Sequence, residues 1–367
     1  MKKLLFSAAD MNVGGIETSL LTLLNHLSDK DYDLTLVLER KQGTFLKDLD
    51  AKINVIEYKP SSSKILLLRR FINLIKRLNF IIRYKNKFDF SASFATYSKM
   101  ASFVARTASK NCALWGHADY LELYKNNKEE MKDFFESIQY DSFRKIIFVS
   151  KRACRTFIKV FPKMKNKVVF CNNLIDYKKI INMSEEKINE NKETYTFVNV
   201  GRHDETQKKL TRIIEAAKML EKNNLDFKII FVGEGKDTLK YKKLVMLSNL
   251  QEKIEFVGTK KNPYPYIKLA DAVLLSSDYE GYPVVFLEAL VLNKPIITTN
   301  VADANEDIDN KFGKVVEKDS NEIYVAMKEF ITNGYNIERK FNPKEYNNEI
   351  IKKLEQIFNG SVDNKYL

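Results

Sequence analysis

The feature that most constrains this chain is an alternation, kept up along nearly its whole length, of short β-rich runs with longer helical stretches. KKLLFSA, DLTLVLE, INVIEY, FDFSASF, CALWGH, KIIFVS and KVVFCN follow one another through the first half, with a helix predicted over 16–27 and a long one from Lys64. That rhythm is a run of βαβ units, so it predicts an α/β chain whose open parallel sheets carry helices on both faces. It pauses at 177–194, YKKIINMSEEKINENKET, a polar stretch that reads as a linker or surface segment between domains. A second series then begins: TYTFVNVGR, FKIIFVGEG, KIEFVG, DAVLLSS, KPIITTN and GKVVE. Two Rossmann-like, doubly wound parallel-sheet domains, 1–178 and 179–342, accommodate the 367 residues, and their strand ends are expected to face a ligand cleft. In the closing stretch, 343–367, a helix over 343–358 bears Ile350, Ile351, Leu354 and Ile357 on one face and is expected to pack back on the first domain.

Composition narrows the function classes. Sixty-one Lys and Arg against 48 Asp and Glu leave +13, a charge that fits nucleic acid, an anionic membrane or a phosphorylated substrate. Cys112, Cys154 and Cys171 lack CxxC spacing and neighbouring histidines, which argues against a disulfide framework or a structural zinc site. The opening MKKLLFSAAD breaks at Asp10, too early for a signal-peptide core, and reads as the first strand of a cytosolic protein. Nowhere do 18 apolar residues run uninterrupted, so no membrane-spanning helix is expected.

Three motifs carry chemistry. Asn12-Val13-Gly14-Gly15-Ile16-Glu17 lies between a strand and a helix, where paired glycines serve either a close ligand approach at the helix N-terminus or a tight βα turn. Val200-Gly201-Arg202 continues to Lys208 and Lys209 before a helix over 210–220; arginine forks and lysine charges at a strand end suit a diphosphate, or form a solvated basic loop. Ser277-Asp278-Tyr279-Glu280-Gly281-Tyr282-Pro283 leads into a helix containing Glu288. Glu280 is placed at the turn and Glu288 two turns into the helix, where its carboxylate can accept from two sugar hydroxyls.

Together, the GGIE segment, the VGR…K loop and the pair Glu280 and Glu288 resemble the retaining glycosyltransferases of family 4, which have the GT-B fold. Trp115-Gly116-His117-Ala118-Asp119, Phe148-Val149-Ser150-Lys151 and Asn172-Asn173-Leu174-Ile175-Asp176 resemble the branch that builds capsule, O-antigen and exopolysaccharide chains. The resemblance implies a nucleotide-sugar donor, preferably a UDP-sugar, and no cofactor or metal besides it. Arg202 and Lys208, with Lys209 in reserve, are implied to bind its diphosphate. Glu280 is implied to touch the transferred sugar, Gly281, Tyr282 and Pro283 the sugar or phosphate, and Glu288 the ribose; Gly14 and Gly15 belong to the ligand-binding set. The loop at 233–235, with Gly233 and Gly235, and the stretch 257–260, with Thr259, would lie beside ribose and base. His117 would bond a sugar hydroxyl and Asp119 would help the acceptor. The chemistry implied uses the leaving phosphate, rather than a protein nucleophile, to help deprotonate the incoming hydroxyl. The chain departs from the pattern at His203, at Leu174 and at 301–304, where glycines are common.

The segment 64–87 has eight Lys or Arg and no acid among Ile, Leu, Phe and Tyr. Core packing is expected to take the aliphatics; it leaves the one-sided charge unexplained, and anionic lipid at the inner membrane face, beside a polyprenyl-diphosphate-linked or other glycan acceptor, is the partner expected for it. A nucleic-acid binder would leave the glycine and glutamate motifs unused. A non-hydrolysing nucleotide-sugar epimerase and an inactive partner subunit are the remaining alternatives.

Overall fold

The structure is a computed structural model and describes residues 1–189, 192–337 and 340–361. Residues 190–191 of the expected linker and 362–367 of the closing stretch lie outside the described residues. The chain divides into two compact units: unit 1 is 1–174 together with the segment from Asn347 onward, and unit 2 is Ile175–Tyr346.

Unit 1 runs β1 (Lys2–Ala8), α1 (Gly15–Ser28), β2 (Tyr32–Leu38), β3 (Asn54–Glu57), α2 (Leu66–Tyr84), β4 (Phe90–Ser93), α3 (Lys99–Ala108), β5 (Cys112–Gly116), α4 (Tyr120–Leu123), α5 (Lys128–Ser137), β6 (Lys145–Phe148), α6 (Lys151–Val160) and β7 (Val168–Phe170). All seven strands pair in parallel, in the order β3-β2-β1-β4-β5-β6-β7. The central strands are covered on both faces, so their residues are buried in continuous runs such as Leu4-Leu5-Phe6 rather than alternately. Ser98, Asn127 and Ser150 start α3, α5 and α6 by accepting a backbone N–H with their side chains.

Unit 2 runs α7 (Tyr177–Ser184), β8 (Thr196–Val200), α8 (Leu210–Lys222), β9 (Lys228–Val232), α9 (Thr238–Leu247), β10 (Ile254–Gly258), α10 (Tyr264–Leu269), β11 (Ala272–Leu275), α11 (Val284–Val291), β12 (Ile296–Thr299), α12 (Ala304–Asp307), β13 (Gly313–Val316) and α13 (Ser320–Asn333), before α14 (Pro343–Asn359). Its six strands are also parallel, in the order β10-β9-β8-β11-β12-β13. Phe197, Ile229, Phe231, Leu274 and Ile297 meet Leu210, Ile213, Ala217, Met327 and Phe330 in one apolar core. Every strand read from the sequence is present, and both units are doubly wound parallel α/β sheets, the fold class expected.

Three expectations need correction. The polar stretch at 177–194 is not simply a linker: it opens with α7, which Asp176 caps by accepting from the Lys179 N–H and which buries Ile180 and Ser184 within unit 2. Ile180 alone of its aliphatic residues is fully buried, Ile181 being exposed, so a count of polar residues hides the helix. The aliphatics of α2 are not in a core, since Phe80 is the only buried residue of that helix. Helix α11 begins at Val284, after Pro283, so Glu288 stands about one turn into it rather than two. Asp119 is fully buried: its Oδ1 caps α4 by accepting from the Leu121 and Glu122 N–H groups and from Thr156 Oγ1, and its Oδ2 lies 3.8 Å from Arg152 Nε.

The closing helix is expected to pack on the first domain. Its last turns belong to unit 1, where the Phe358 ring meets Phe6, Tyr32 and Phe90 at 6.3, 5.9 and 4.9 Å. The three cysteines are buried, and no disulfide joins any of them.

Candidate functional site

In unit 2 the strand order reverses between β8 and β11, which lie side by side. Helices that follow these two strands leave on opposite faces of the sheet, and a crevice opens beyond the carboxyl ends at such a point. The loops that border it are 201–209 after β8 and 276–283 after β11, two of the motif segments.

Polar contacts knit these loops together. Lys208 Nζ lies 2.6 Å from Glu280 Oε1, which also accepts from Ser277 Oγ at 2.7 Å. Gln207 Nε2 reaches Glu280 Oε2 at 3.4 Å and the Tyr279 carbonyl at 3.3 Å. Asp278 N–H donates to the Gln207 carbonyl at 2.8 Å, and Ser276 Oγ donates to the Lys208 carbonyl at 2.8 Å. Arg212, in the first turn of α8, holds the Ser276 carbonyl at 2.9 Å and Asp278 at 2.7 Å. Lys209 adopts φ +51, in the left-handed region, and its Nζ lies 3.8 Å from Asp278. Two adjacent lysines thus serve different carboxylates. Lys208 and Glu280 form the inner pair, and Arg202 is exposed with one contact to Gln207 Oε1 at 3.3 Å.

The glycines of this edge have distinct reasons. A Cβ on Gly201 would meet only Lys208 Cε and Nζ, at 3.7 and 4.0 Å, so the backbone there leaves open space beside the lysine ammonium. Gly233 has φ +139, and a Cβ on it would stand 2.0 Å from the Gly201 carbonyl oxygen; one on Gly235 would stand 2.3 Å from that of His203. Both glycines let the loop after β9 lie flat on the loop after β8. His203 is itself buried, with Nδ1 2.9 Å from Thr238 Oγ1 and its ring edge-on to Phe231, Tyr241 and Phe256. A flat ring fills a core position there. Thr259, after β10, is tied to Glu234 at 3.4 Å. Ala302 holds φ +50, a backbone shape glycine adopts freely, at the place where the family pattern would supply glycines.

Gly281, Tyr282 and Pro283 lead into α11, whose first N–H groups have no partner within the helix. The Tyr282 side chain is turned away, its hydroxyl donating to Asp307 at 3.1 Å. Glu288 is buried, and burial pushes its carboxyl up to about 7, against a smaller opposing effect of the Tyr264 hydroxyl bonded to it. Near neutral pH this carboxyl therefore exchanges a proton easily.

Unit 1 carries the other candidates on the corresponding edge of its own sheet. His117 follows β5 with its ring on Phe94, centroids 4.4 Å apart. Burial holds its imidazole neutral, at about 3, although a hydrogen bond to the Phe94 backbone opposes this; its Nε2 is enclosed and without a partner among the described residues. Gly14, at φ −174, is the extended residue before α1, and a Cβ on it would meet only the Glu17 carboxylate. Tyr97 donates to Glu17 at 3.3 Å, Ser98 to Glu39 at 3.0 Å, and Arg40 pairs with Asp10 at 3.0 Å.

Of the residues singled out in the sequence, Arg202, Lys208, Lys209, Gly233, Gly235, Thr259, Glu280, Gly281, Tyr282 and Pro283 share the carboxyl edge of the second sheet, with Glu288 a turn inside. Gly14, Gly15 and His117 share that of the first. Sequence reading gave no role to Gln207 and Ser277 within their motifs and missed Arg212 and Tyr264; the roles of all four are contacts with those residues. It also missed Gly43, at φ +121, which lets the loop after β2 press on Met11. Among the described residues no group of three or more His, Cys, Asp or Glu is placed to hold a metal ion.

Comparison with known proteins agrees with this geometry. Residues 180–356 match the family model Glycosyl transferases group 1. An uncharacterized glycosyltransferase of Methanocaldococcus jannaschii is 27% identical over 201 residues, 53% of this chain and 49% of that one, so the match spans about half the length of that relative. Among solved structures, Anabaena HepE in complex with UDP and glucose superposes with a TM-score of 0.74 at 13% identity, over 97% of this chain and 100% of that one. Staphylococcus aureus TarM in complex with UDP gives 0.74 at 14% identity, over 98% and 100%. WaaG, a glycosyltransferase involved in lipopolysaccharide biosynthesis, gives 0.69 at 14%, over 97% and 100%. These likenesses establish the fold, two Rossmann-like domains of the GT-B class.

Proposed function

We propose that the protein is a retaining glycosyltransferase that moves a hexose or N-acetylhexosamine from a nucleotide-sugar, a UDP-sugar by preference, to a membrane-associated glycan in bacterial surface polysaccharide synthesis. The observation that carries this reading is the inner pair of Lys208 and Glu280 beside the bare backbone of Gly201, at the point where the strand order of unit 2 reverses. A diphosphate fits there: Lys208 supplies a charge already oriented by Glu280 and Ser277, and Arg202 is free to swing its fork onto a second phosphate. The family model over 180–356 supports it, as do the UDP complexes of the HepE and TarM structures.

In the reaction, the bond from the anomeric carbon to the diphosphate breaks and a bond to the acceptor oxygen forms on the same face. The acceptor proton passes to the departing phosphate. Lys208 and Arg202 stabilise the charge that grows on that phosphate, the part a metal ion plays elsewhere. Glu288, buried and able to ionise near neutral pH, accepts from the ribose hydroxyls. His117, neutral and with a free Nε2, bonds a sugar hydroxyl. The acceptor is a polyprenyl-diphosphate-linked or other glycan, which places the protein at the inner membrane face, with the basic segment 64–87 toward anionic lipid.

Thermal shift with UDP, GDP, ADP and CDP, each with and without EDTA, tests the reading. Stabilisation by UDP alone, unchanged by EDTA, is expected; a ligand at a hundred times its dissociation constant adds about 2.7 kcal/mol. Indifference to all four nucleotides would remove the donor assignment.

A further inference from the structure

Helix α2 faces the opposite way from a helix that serves only a soluble core. Leu67, Phe71, Leu74, Ile75, Leu78 and Ile82 recur at helical spacing and form one apolar stripe. That stripe points outward: Leu67 is 76% exposed, Phe71 60% and Ile82 78%. The contact with unit 1 is made from the other side. There Phe80 packs on Tyr58 and Phe103, at 5.3 and 5.9 Å between ring centroids, and the Arg77 guanidinium lies 5.2 Å over the Phe103 ring. Lys76 Nζ donates to the Lys59 carbonyl at 2.7 Å. Ile65, Leu66 and Leu68 are exposed as well, which makes a continuous apolar surface of a kind that marks an interaction site.

Charge selects the occupant. The eight Lys and Arg of 64–87, with no acid among them, would set a second copy of the helix against its own charge, whereas an anionic lipid surface complements it. Arg70 and Arg77 stand about a quarter turn from the stripe and Arg69, Lys76 and Arg83 on the side away from it, and no helix among the described residues is long and apolar enough to cross a membrane. We propose that α2 is an in-plane anchor: its outward stripe enters the acyl boundary of an anionic bilayer while its basic residues stay at the level of the lipid phosphates. This rests on the reading of 64–87 as the membrane-facing segment and replaces surface charge contact by apolar insertion. It is independent of the donor chemistry in unit 2. In the crossover from β3 to β4 the helix runs back along the sheet, so its start at Leu66 lies toward the carboxyl edge that carries Gly14, Tyr97 and His117. Insertion brings that edge to the lipid, where an acceptor anchored in the bilayer is met without leaving it.

Flotation of the whole protein with phosphatidylcholine vesicles, with and without phosphatidylglycerol, tests the anchor. Binding to the anionic vesicles is expected, with most of it surviving raised salt. A combined Leu67→Ser, Phe71→Ser, Leu74→Ser and Leu78→Ser variant is expected to bind at least a hundredfold more weakly while keeping its fold and its response to UDP, because the replaced side chains are exposed. In a second variant, Leu74→Trp, new fluorescence quenched by lipids brominated in their acyl chains is expected, a signal that charge contact alone does not give. The proposal is overturned if the serine variant floats like the parent, if the Leu74→Trp fluorescence escapes quenching, or if binding vanishes in raised salt. It is equally overturned if the parent binds no vesicle; a dimer that the serine variant abolishes would then name a second copy as the occupant. UDP stabilisation in the same samples reports separately on the donor site.

Discussion

The two sheets follow one strand plan and carry opposite chemistry on their carboxyl edges. In unit 1 the order reverses between β1 and β4, in unit 2 between β8 and β11, each with two strands continuing on one side and the rest on the other. The edge of unit 2 gathers Arg202, Lys208, Lys209 and Arg212, each held by or near a carboxylate or carbonyl. That of unit 1 gathers Asp10, Glu17 and Glu39 with hydroxyls from Tyr97 and Ser98, a neutral His117, Arg40 on Asp10 and, just after β6, Arg152 on Glu122. Strand order makes a crevice in both; the loop residues give each its own set of charges and hydroxyls.

The comparison breaks most easily at the glycines. Gly233→Ala combines a left-handed φ with a Cβ 2.0 Å from a backbone oxygen that cannot move aside, and about 4 kcal/mol of destabilisation is expected from strain and overpacking together. Gly14→Ser in unit 1 is expected to stay within about 0.5 kcal/mol, since φ −174 suits any residue, serine is a good helix cap and only the Glu17 side chain must turn. Urea unfolding of both variants measures this, and equal losses would refute the contrast. Next in size, Lys208→Ala is expected to lower sugar transfer by about 3 kcal/mol, on the order of a hundredfold. It also strands the buried Glu280 carboxylate, so stability falls too; adding Glu280→Gln should recover the stability and not the transfer. Transfer that survives Lys208→Ala would mean that the diphosphate binds elsewhere.

What could be read from the sequence follows from how local each signal is. Strands buried on both faces are runs of apolar residues, and all of them were visible, from KKLLFSA to GKVVE. The charged loops were visible because they directly follow strands. Which lysine turns inward was not, because it depends on the left-handed φ of Lys209, a torsion the sequence does not display. Tyr264 was hidden for another reason: it touches Glu288 from a different helix, α10, and no spacing rule links them. Helix α2 showed its two faces in the periodicity, but the one that meets the protein has a single buried apolar residue, Phe80, and the aliphatic majority points the other way. Asp119 also serves as a helix cap, a role that its place just before α4 allows and that the sequence reading did not assign.

The smallest effects sharpen the comparison through pH. Glu288 is raised from 4.5 to about 7, so the folded chain keeps a proton that the unfolded chain loses between those values. Stability of unit 2 should fall as pH rises through that window, by roughly 3 kcal/mol for a shift of this size, and Glu288→Gln should remove the slope. His117 is lowered from 6.5 to about 3, so the unfolded chain takes up a proton that the folded chain refuses. Stability of unit 1 should instead fall as pH drops below 6.5, by about 2 kcal/mol once the partial solvent access of the residue is allowed for. The two slopes can be read apart because the only tryptophan, Trp115, lies in unit 1, its ring 5.0 Å from that of Phe94, on which His117 packs. Its fluorescence follows unit 1 alone, whereas circular dichroism follows both. The expected result is a tryptophan midpoint in urea that declines from pH 7 to pH 4, and does so no longer in His117→Gln; a midpoint flat across that range would mean that the imidazole is solvated and charged like an ordinary surface histidine.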